Sequence, residues 1–93
     1  LAGFALVSRI NKNDKSYYSM SEFLILRKFR RNKVGQKAAQ EIFRYFKGEW
    51  KVTQILANYP AQKFWRKVID EYTSGQFREQ VHERIIMQFF TSS

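Results

Sequence analysis

Two stretches of this chain repeat apolar residues at helical spacing, and a short apolar run precedes each of them. Residues 34–47 carry an apolar side chain at every fourth position, and Gly48 after them suits the end of a helix. The second stretch opens at Asn58-Tyr59-Pro60, where Pro60 lies near the first helical position, and it ends at Thr73-Ser74-Gly75. A chain with two amphipathic helices set among apolar runs is predicted to alternate strands and helices.

The other apolar runs are predicted strands. Residues 4–10 and 17–26 flank the turn cluster Asn11-Lys12-Asn13-Asp14 and are predicted to form an antiparallel hairpin. Residues 50–57 separate the two helices, and residues 77–81 and 85–90 alternate around a tight turn. The predicted order is β-β-α-β-α-β-β. This is a mixed α/β (α+β) fold with two helices and a mostly antiparallel, twisted sheet.

Composition narrows the class of protein. A chain of 93 residues forms one domain at most, and its nine Phe, five Tyr and two Trp exclude a disordered tail. No window approaches the roughly 18 apolar residues that span a membrane, and the apolar start is too short for a secretory signal. The absence of cysteine excludes disulfides and thiol nucleophiles and suits a cytoplasmic protein. Because the first residue is not Met, we expect the chain to begin inside a longer protein.

The formal net charge of +9 implies an anionic partner, either nucleic acid, an anionic membrane or a phosphorylated small molecule. Six of the eleven residues 27–37 are Lys or Arg, and they lie between a predicted strand and the first turn of a predicted helix. The free N–H groups of a helix start attract phosphate, and Gly35 lets the backbone approach a ligand closely. These features favour a phosphate-binding loop. The alternative is a solvated basic face at an ordinary helix start.

Two motifs resemble those of a known family. Arg30-Arg31-Asn32-Lys33-Val34-Gly35 resembles the Arg/Gln-x-x-Gly-x-Gly/Ala motif of the GNAT superfamily of N-acetyltransferases. Asn58-Tyr59-Pro60-Ala61-Gln62-Lys63-Phe64-Trp65 is similar to the Asn-x-x-Ala-x-x-Phe-Tyr signature of that family. The likeness runs from the family's third strand to its seventh. It implies an acyl-CoA N-acyltransferase-like fold in which residues 1–93 form part of one acetyltransferase domain, without its N-terminal elements.

The resemblance implies that acetyl-CoA is the co-substrate and that an amine, not identified by the sequence, attacks its thioester directly. In the family, loop amides hold the pyrophosphate, the end of the fourth strand pairs with the pantetheine arm, and the Asn-x-x-Ala helix lines its other side. The implied cofactor-binding residues are Leu24, Ile25, Leu26, Arg30, Arg31, Asn32, Lys33, Val34, Gly35, Gln36, Asn58, Phe64 and Trp65.

Two positions depart from the family motifs. Lys33 stands at the first Gly, so the loop must hold Lys33 in a right-handed helical conformation or bind its ligand less closely. Trp65 stands where many members place the Tyr that protonates the departing thiolate, and an indole N–H is not a useful acid. Tyr59 and Tyr72 are candidates to replace that Tyr.

A general base is needed to deprotonate the acceptor ammonium. Glu22 is the carboxylate on the strand that enters the site, and alternation predicts that it shares a face with Leu24 and Leu26. A solvated or structural Glu22 is the alternative. The lone histidine, His82, is expected to be exposed and structural. Without cysteines or clustered His and Asp residues, no metal site is expected.

Two other functions remain open. A nucleic-acid-binding module would need exposed aromatic residues beside the cations, but Phe29 alone interrupts the basic run, which makes nucleic acid the weaker alternative. A non-catalytic oligomerisation fragment would pair through the edge of the first strand, which the absent elements would leave bare. We therefore expect a homodimer, or pairing of this edge with a missing N-terminal segment, and no membrane partner.

Overall fold

The computed structural model of the chain describes residues 3–25 and 33–93. Its elements confirm the predicted β-β-α-β-α-β-β order. They are β1 (Gly3–Lys12), β2 (Lys15–Ile25), α1 (Val34–Tyr45), β3 (Gly48–Ile55), α2 (Tyr59–Thr73), β4 (Arg78–His82) and β5 (Ile85–Ser92). No helix in these two ranges is long and apolar enough to cross a membrane.

The five strands form one sheet in the order β1-β2-β3-β5-β4. The neighbours β1 and β2, β3 and β5, and β4 and β5 are antiparallel, whereas β2 and β3 are parallel. The parallel pair arises because the connection through α1 returns the chain to the end of the sheet where β2 began. The mixed and mostly antiparallel sheet expected from the sequence is therefore confirmed.

The first hairpin forms because its turn residues accept left-handed backbone geometry. Asn13 and Asp14 link β1 to β2 with φ of 52° and 62°. Positive φ at both positions of a two-residue loop matches the right-handed twist of the strands, and Asn and Asp adopt it more readily than most residues.

The core lies between the sheet and the two helices. Phe43 of α1 is fully buried, and its ring centroid lies 4.9 Å from that of Trp50 and 4.8 Å from that of Phe90. From α2, Trp65 and Tyr72 approach the same ring at 6.2 Å and 5.4 Å. The buried apolar residues, from both helices and from β3 and β5, are Ala39, Phe43, Trp50, Val52, Trp65, Val68, Ile69, Ile86 and Phe90.

The helix ends show where local sequence signals succeed and fail. Asn58 caps α2, since its Oδ1 accepts a hydrogen bond from the Ala61 N–H at 3.2 Å. The predicted stop of α1 at Gly48 is wrong, because α1 ends at Tyr45 and Gly48 instead begins β3 with φ of 137°. A Cβ at Gly48 would lie 3.6 Å from Cε2 of Tyr18, so space exists there but the backbone geometry favours glycine.

Candidate cofactor site

The parallel strands β2 and β3 pair only briefly. Tyr18 lies opposite Trp50, and Ser19 lies opposite Lys51. Within residues 3–25 and 33–93 the two strands form no further pair, although both continue beyond these positions. Each strand keeps its other neighbour, β1 or β5. The facing edges of β2 and β3 beyond Ser19 and Lys51, here called the gap, can therefore offer backbone groups to an extended ligand.

A β-bulge lies where the gap begins. The β1–β2 register passes from Val7 opposite Met20 to Leu6 opposite Glu22, so Ser21 has no partner on β1. An extra residue of this kind bends its strand and increases the local twist. The bulge thus bends β2 where the strand loses contact with β3.

The first turn of α1 lies beside the end of β2. Phe23 of β2, together with Val34 and Ala38 of α1, lines an apolar cavity of about 210 Å³. No acidic residue occupies the first turn, and no side chain caps it in the part of the chain that the structure describes. Its backbone N–H groups and the positive end of the helix dipole are therefore suited to an anion.

Lys33 precedes α1 in a left-handed conformation, with φ of 58° and ψ of 18°. Of the two alternatives for Lys33, a right-handed conformation is therefore wrong, and less close binding of the ligand stays a prediction. A left-handed residue with a Cβ costs roughly 1–2 kcal/mol, which is why Gly is favoured at such positions. Lys33 therefore adopts a conformation that glycine reaches at little cost, but it does so with a Cβ. Two residues on, Gly35 is buried in the first turn of α1.

Phe64 and Trp65 connect α2 to β2 on the helix side of the sheet. Their ring centroids lie 5.8 Å and 5.2 Å from that of Phe23. Phe64 is partly buried, whereas Trp65 is only 8% exposed and also contacts Phe43 in the core. The departure from Tyr at Trp65 therefore has a packing consequence, since the larger indole fills the core between α1, α2 and β2.

The two tyrosines considered as acids lie at different ends of the fold. Tyr59, 73% exposed, begins α2 just after the end of β3. The Tyr72 hydroxyl bonds Ser92 Oγ at 2.7 Å, and Ser92 lies opposite Gly48 at the start of β3. Tyr59 is therefore at the open end of the gap, and Tyr72 is beyond its closed end.

Several predicted site residues cannot be placed in full. Leu26, Arg30, Arg31 and Asn32 lie outside the described residues, as do the side chains of Glu22, Leu24 and Ile25. The backbones of the last three belong to β2 and pair with β1 beyond the bulge. His82 is exposed at the end of β4, as expected. Gln36 is partly buried in the first turn of α1, and its amide nitrogen bonds the Glu71 carboxylate of α2.

The ion pair of Arg66 and Glu79, whose pKa values are both shifted, lies away from the gap. Arg66 of α2 donates to Glu79 of β4 through Nε at 2.9 Å and through Nη2 at 2.5 Å. This hydrogen bonding lowers the pKa of the Glu79 carboxyl and raises that of the Arg66 guanidinium. The pair ties the edge strand to α2 and is structural.

A groove of about 910 Å³ lies between the C-terminal parts of α1 and α2 and the end of β5. Among the described residues that line it are Arg44, Tyr72, Arg78 and Phe89, and none is a predicted cofactor residue. The groove is therefore separate from the start of α1.

A mixed sheet whose one parallel pair separates at a bulge, with a helix starting beside the gap, defines the acyl-CoA N-acyltransferase class of fold. Residues 1–69 match the model of the Acetyltransferase (GNAT) family. The match runs from β1 into α2 and includes both motifs. The chain belongs to this family. A search of curated proteins found no match.

The sequence gives no direct signal for two features of the site. The bulge at Ser21 is defined by the register between β1 and β2, and no turn-forming residue such as Gly or Asn at this position predicts it. The sequence places Phe23 only within an apolar strand, yet its ring contacts both Phe64 and Trp65. The apolar repeat of α2 predicts a helix face but not which strand that face meets.

Proposed function

We propose that this chain binds acetyl-CoA along the start of α1 and in the gap, and that it transfers the acetyl group to an amine. Membership of the GNAT family supports acetyl transfer from acetyl-CoA in general. The observation that carries the proposal is the separation of β2 and β3 after the pair Ser19 and Lys51. An extended pantetheine arm in this gap would satisfy backbone groups that the two strands do not offer each other.

The pyrophosphate is proposed to lie on the backbone amides from Arg31 to Gln36. The uncapped first turn of α1 supports this assignment, because its N–H groups and dipole favour negative charge. The cations Arg30, Arg31 and Lys33 would add charge-assisted hydrogen bonds to phosphate oxygens. Asn32, Val34 and Gly35 would contribute through the backbone alone.

The pantetheine arm is proposed to follow the end of β2, along the backbones of Leu24, Ile25 and Leu26. On the opposite side it would meet α2. Support comes from the contacts of Phe64 and Trp65 with Phe23, which bring α2 against the same part of β2. Asn58, the cap of α2, follows closely after the end of β3 and is proposed to line this side too.

Glu22 is proposed as the general base. Its backbone lies directly after the bulge residue and beyond the last β2–β3 pair, next to the path proposed for the thioester. The carboxylate would take a proton from the acceptor ammonium, and the amine nitrogen would then attack the thioester carbonyl carbon. The C–S bond breaks as the amide forms, the nitrogen gives its second proton to solvent, and the thiolate leaves with a proton from Tyr59 or solvent.

The proposal is tested by isothermal titration of the whole chain with coenzyme A and, separately, with a short oligothymidylate at moderate salt. We expect coenzyme A to bind with micromolar affinity and Gly35→Asp to abolish binding, because it adds a negative charge to the first turn of α1, next to the proposed phosphate site. Gln76→Asp is the matched control, since it makes the same charge change in the exposed loop after α2.

Circular dichroism of both variants checks that they remain folded. Oligonucleotide binding with a steep salt dependence and no response to coenzyme A would refute the proposal in favour of a nucleic-acid-binding module. Equal loss of coenzyme A binding in Gln76→Asp and Gly35→Asp would also count against the loop.

The outer edge of β1 forms a second part of the proposal. β1 is an edge strand of the sheet, and Phe4 and Leu6 on it are 47% and 56% exposed. An edge of this kind invites a further strand. We propose that it pairs with an N-terminal segment of a longer cytoplasmic protein or with a second copy of the chain. Sedimentation velocity over a range of concentrations distinguishes a dimer from a monomer.

A further inference from the structure

One face of the sheet is not covered by α1 or α2, and two cations lie on it. Along β3 and β5 the buried residues Trp50 and Phe90 alternate with Lys51 and Phe89, which therefore point to the opposite side. Lys51 lies opposite Phe89, and Phe89 lies opposite Arg78 of β4. These three residues form a row across the uncovered face, here called the open face.

Both cations, Lys51 and Arg78, lie over aromatic rings. Arg78 Cζ lies 4.8 Å from the Phe89 ring centroid, and Lys51 Nζ lies 5.2 Å from the Tyr17 ring centroid. Such contacts are favourable and orient the cation, but they leave its charge uncompensated. Lys51 and Arg78 are thus positioned on the open face without a neutralising group from these rings.

No carboxylate forms an ion pair with either cation in the part of the chain that the structure describes. The ion pairs found there join Arg44 to Glu41 and Arg66 to Glu79. The carboxylate nearest to Lys51 along β3 on the same face is Glu49, whose Oε1 accepts a hydrogen bond from Thr91 Oγ1 at 2.8 Å. Glu49 keeps its negative charge at the end of this face away from the gap, so the two cations of the row leave it with a net charge of one positive.

This row begins where the gap begins, since Lys51 and Ser19 are the last parallel pair. On the helix side, the contacts of Phe64 and Trp65 with Phe23 occupy the space beside the gap. A molecule that attacks a thioester in the gap must then approach from the open face. Lys51 would be its first charged contact, with Arg78 two strand spacings, or about 10 Å, further along the sheet.

We infer that the acceptor amine also carries an anionic group, a carboxylate or a phosphate, which Lys51 and Arg78 bind on the open face. This inference rests on the proposed function. Arg78 already lies over Phe89 of β5, whereas Lys51 points toward Tyr17 of β2, so Lys51 would leave the Tyr17 ring to meet an anion held between β3 and β4. The guanidinium of Arg78 can bind either group through two parallel hydrogen bonds, while the Lys51 ammonium adds a point charge.

The test compares two pairs of amines that differ in the anionic group. Glycylglycine is compared with glycylglycinamide, and phosphoethanolamine with ethanolamine, by calorimetric titration of the whole chain with and without saturating coenzyme A. We expect the anionic member of at least one pair to bind about tenfold or more tightly than its neutral partner, the range given by one or two charge-assisted bonds. A preference within the first pair alone identifies a carboxylate, and within the second alone a phosphate.

Substitutions show which residues produce the preference for the anionic amine. Lys51→Gln and Arg78→Gln should each remove most of it while leaving coenzyme A affinity unchanged, because neither residue belongs to the proposed cofactor site. Lys67→Gln, which removes a cation exposed on α2, is the matched control and should keep the preference. Equal affinity within both pairs, no binding of any of the four amines, or a preference that survives both variants would overturn the inference.

Failure of the proposed function gives a different result. If coenzyme A does not bind the unaltered chain, the proposed cofactor site is wrong. A preference for the anionic amine that is measured without coenzyme A and depends on Lys51 and Arg78 would still support the open-face site. If coenzyme A binds but no anion preference is seen, the cofactor site stands and the open-face inference falls.

Discussion

The left-handed backbone at Lys33 predicts that Lys33→Gly stabilises the chain. A residue with a Cβ loses roughly 1–2 kcal/mol in this conformation, and Lys33 has φ of 58°. Glycine relieves that strain but loses about 0.5–1 kcal/mol more conformational entropy on folding. The midpoints of these two ranges give a net gain of about 0.75 kcal/mol, which raises the Tm of a chain of this size by about 3–6 °C.

Lys37→Gly is the matched control, because it removes the same charge one helical turn further along. Lys37 is exposed within α1, and its N–H donates to the Lys33 carbonyl at 3.0 Å. Glycine at an exposed helical position costs about 1 kcal/mol, so the two variants should change stability in opposite directions. Urea unfolding followed by circular dichroism gives both free energies of unfolding. If Lys33→Gly is no more stable than the unaltered chain, the strain assigned to Lys33 is absent.

The same two variants test how the loop binds phosphate. Each removes one positive charge near the start of α1, so a difference in coenzyme A affinity between them reports on the backbone at Lys33. If close approach of the backbone limits affinity, Lys33→Gly binds more tightly than Lys37→Gly. If the Lys33 ammonium contacts a phosphate, Lys33→Gly binds more weakly than Lys37→Gly. Calorimetric titration of both variants decides between them.

Three further predictions concern stability. Phe43→Ala removes the ring that contacts four other aromatic residues and should cost about 3–5 kcal/mol in urea unfolding, whereas Tyr45→Ala on the exposed side of α1 should change stability by less than about 0.5 kcal/mol. Asn58→Ala should cost about 1 kcal/mol and Asn58→Asp much less, as thermal unfolding would show, because Asp can also accept the Ala61 N–H. The lowered pKa of Glu79 stabilises the fold above the unfolded pKa of about 4.3, and this contribution is lost as pH falls through the folded value. Because the pair with Arg66 is partly exposed, the loss should stay under about 1 kcal/mol, and Glu79→Gln should remove it from acid titrations of stability.

The order of elements could be predicted because each one has a local period. The apolar repeat of α1 and the alternation of β5 appear directly in the sequence, and both elements form where expected. Ends are less certain because several residues can stop a helix. The Phe46 N–H closes α1 by donating to the Ile42 carbonyl at 3.0 Å, two residues before the glycine that suggested the stop.

The open-face site could not be predicted because it depends on strand order. Lys51, Phe89 and Arg78 come from three strands that are neighbours in the sheet, but β5 lies between β3 and β4 although it follows both in sequence. The alternation of side chains along a strand shows which residues of one strand share a face. That Lys51 and Phe89 share a face follows only once the register between β3 and β5 is known. The gap has the same cause, since the bulge at Ser21 is defined by what lies opposite it on β1.

The two departures from the family motifs have different consequences for function. Lys33 is left-handed, a conformation that glycine adopts readily, so the substitution of Lys for Gly does not by itself argue against the proposed phosphate loop. Trp65 changes the chemistry, because its indole N–H is not a useful acid, and the ring packs into the core against Phe43 and Phe23. Trp65→Tyr would therefore place a hydroxyl where an aromatic core residue now packs, and a buried hydroxyl without a partner costs about 1–3 kcal/mol. A variant that bound coenzyme A, stayed as stable as the unaltered chain and gained acetyl transfer would show that the hydroxyl reaches the gap. Loss of stability without gain in transfer would show that position 65 in this chain serves packing, and that the thiolate takes its proton elsewhere.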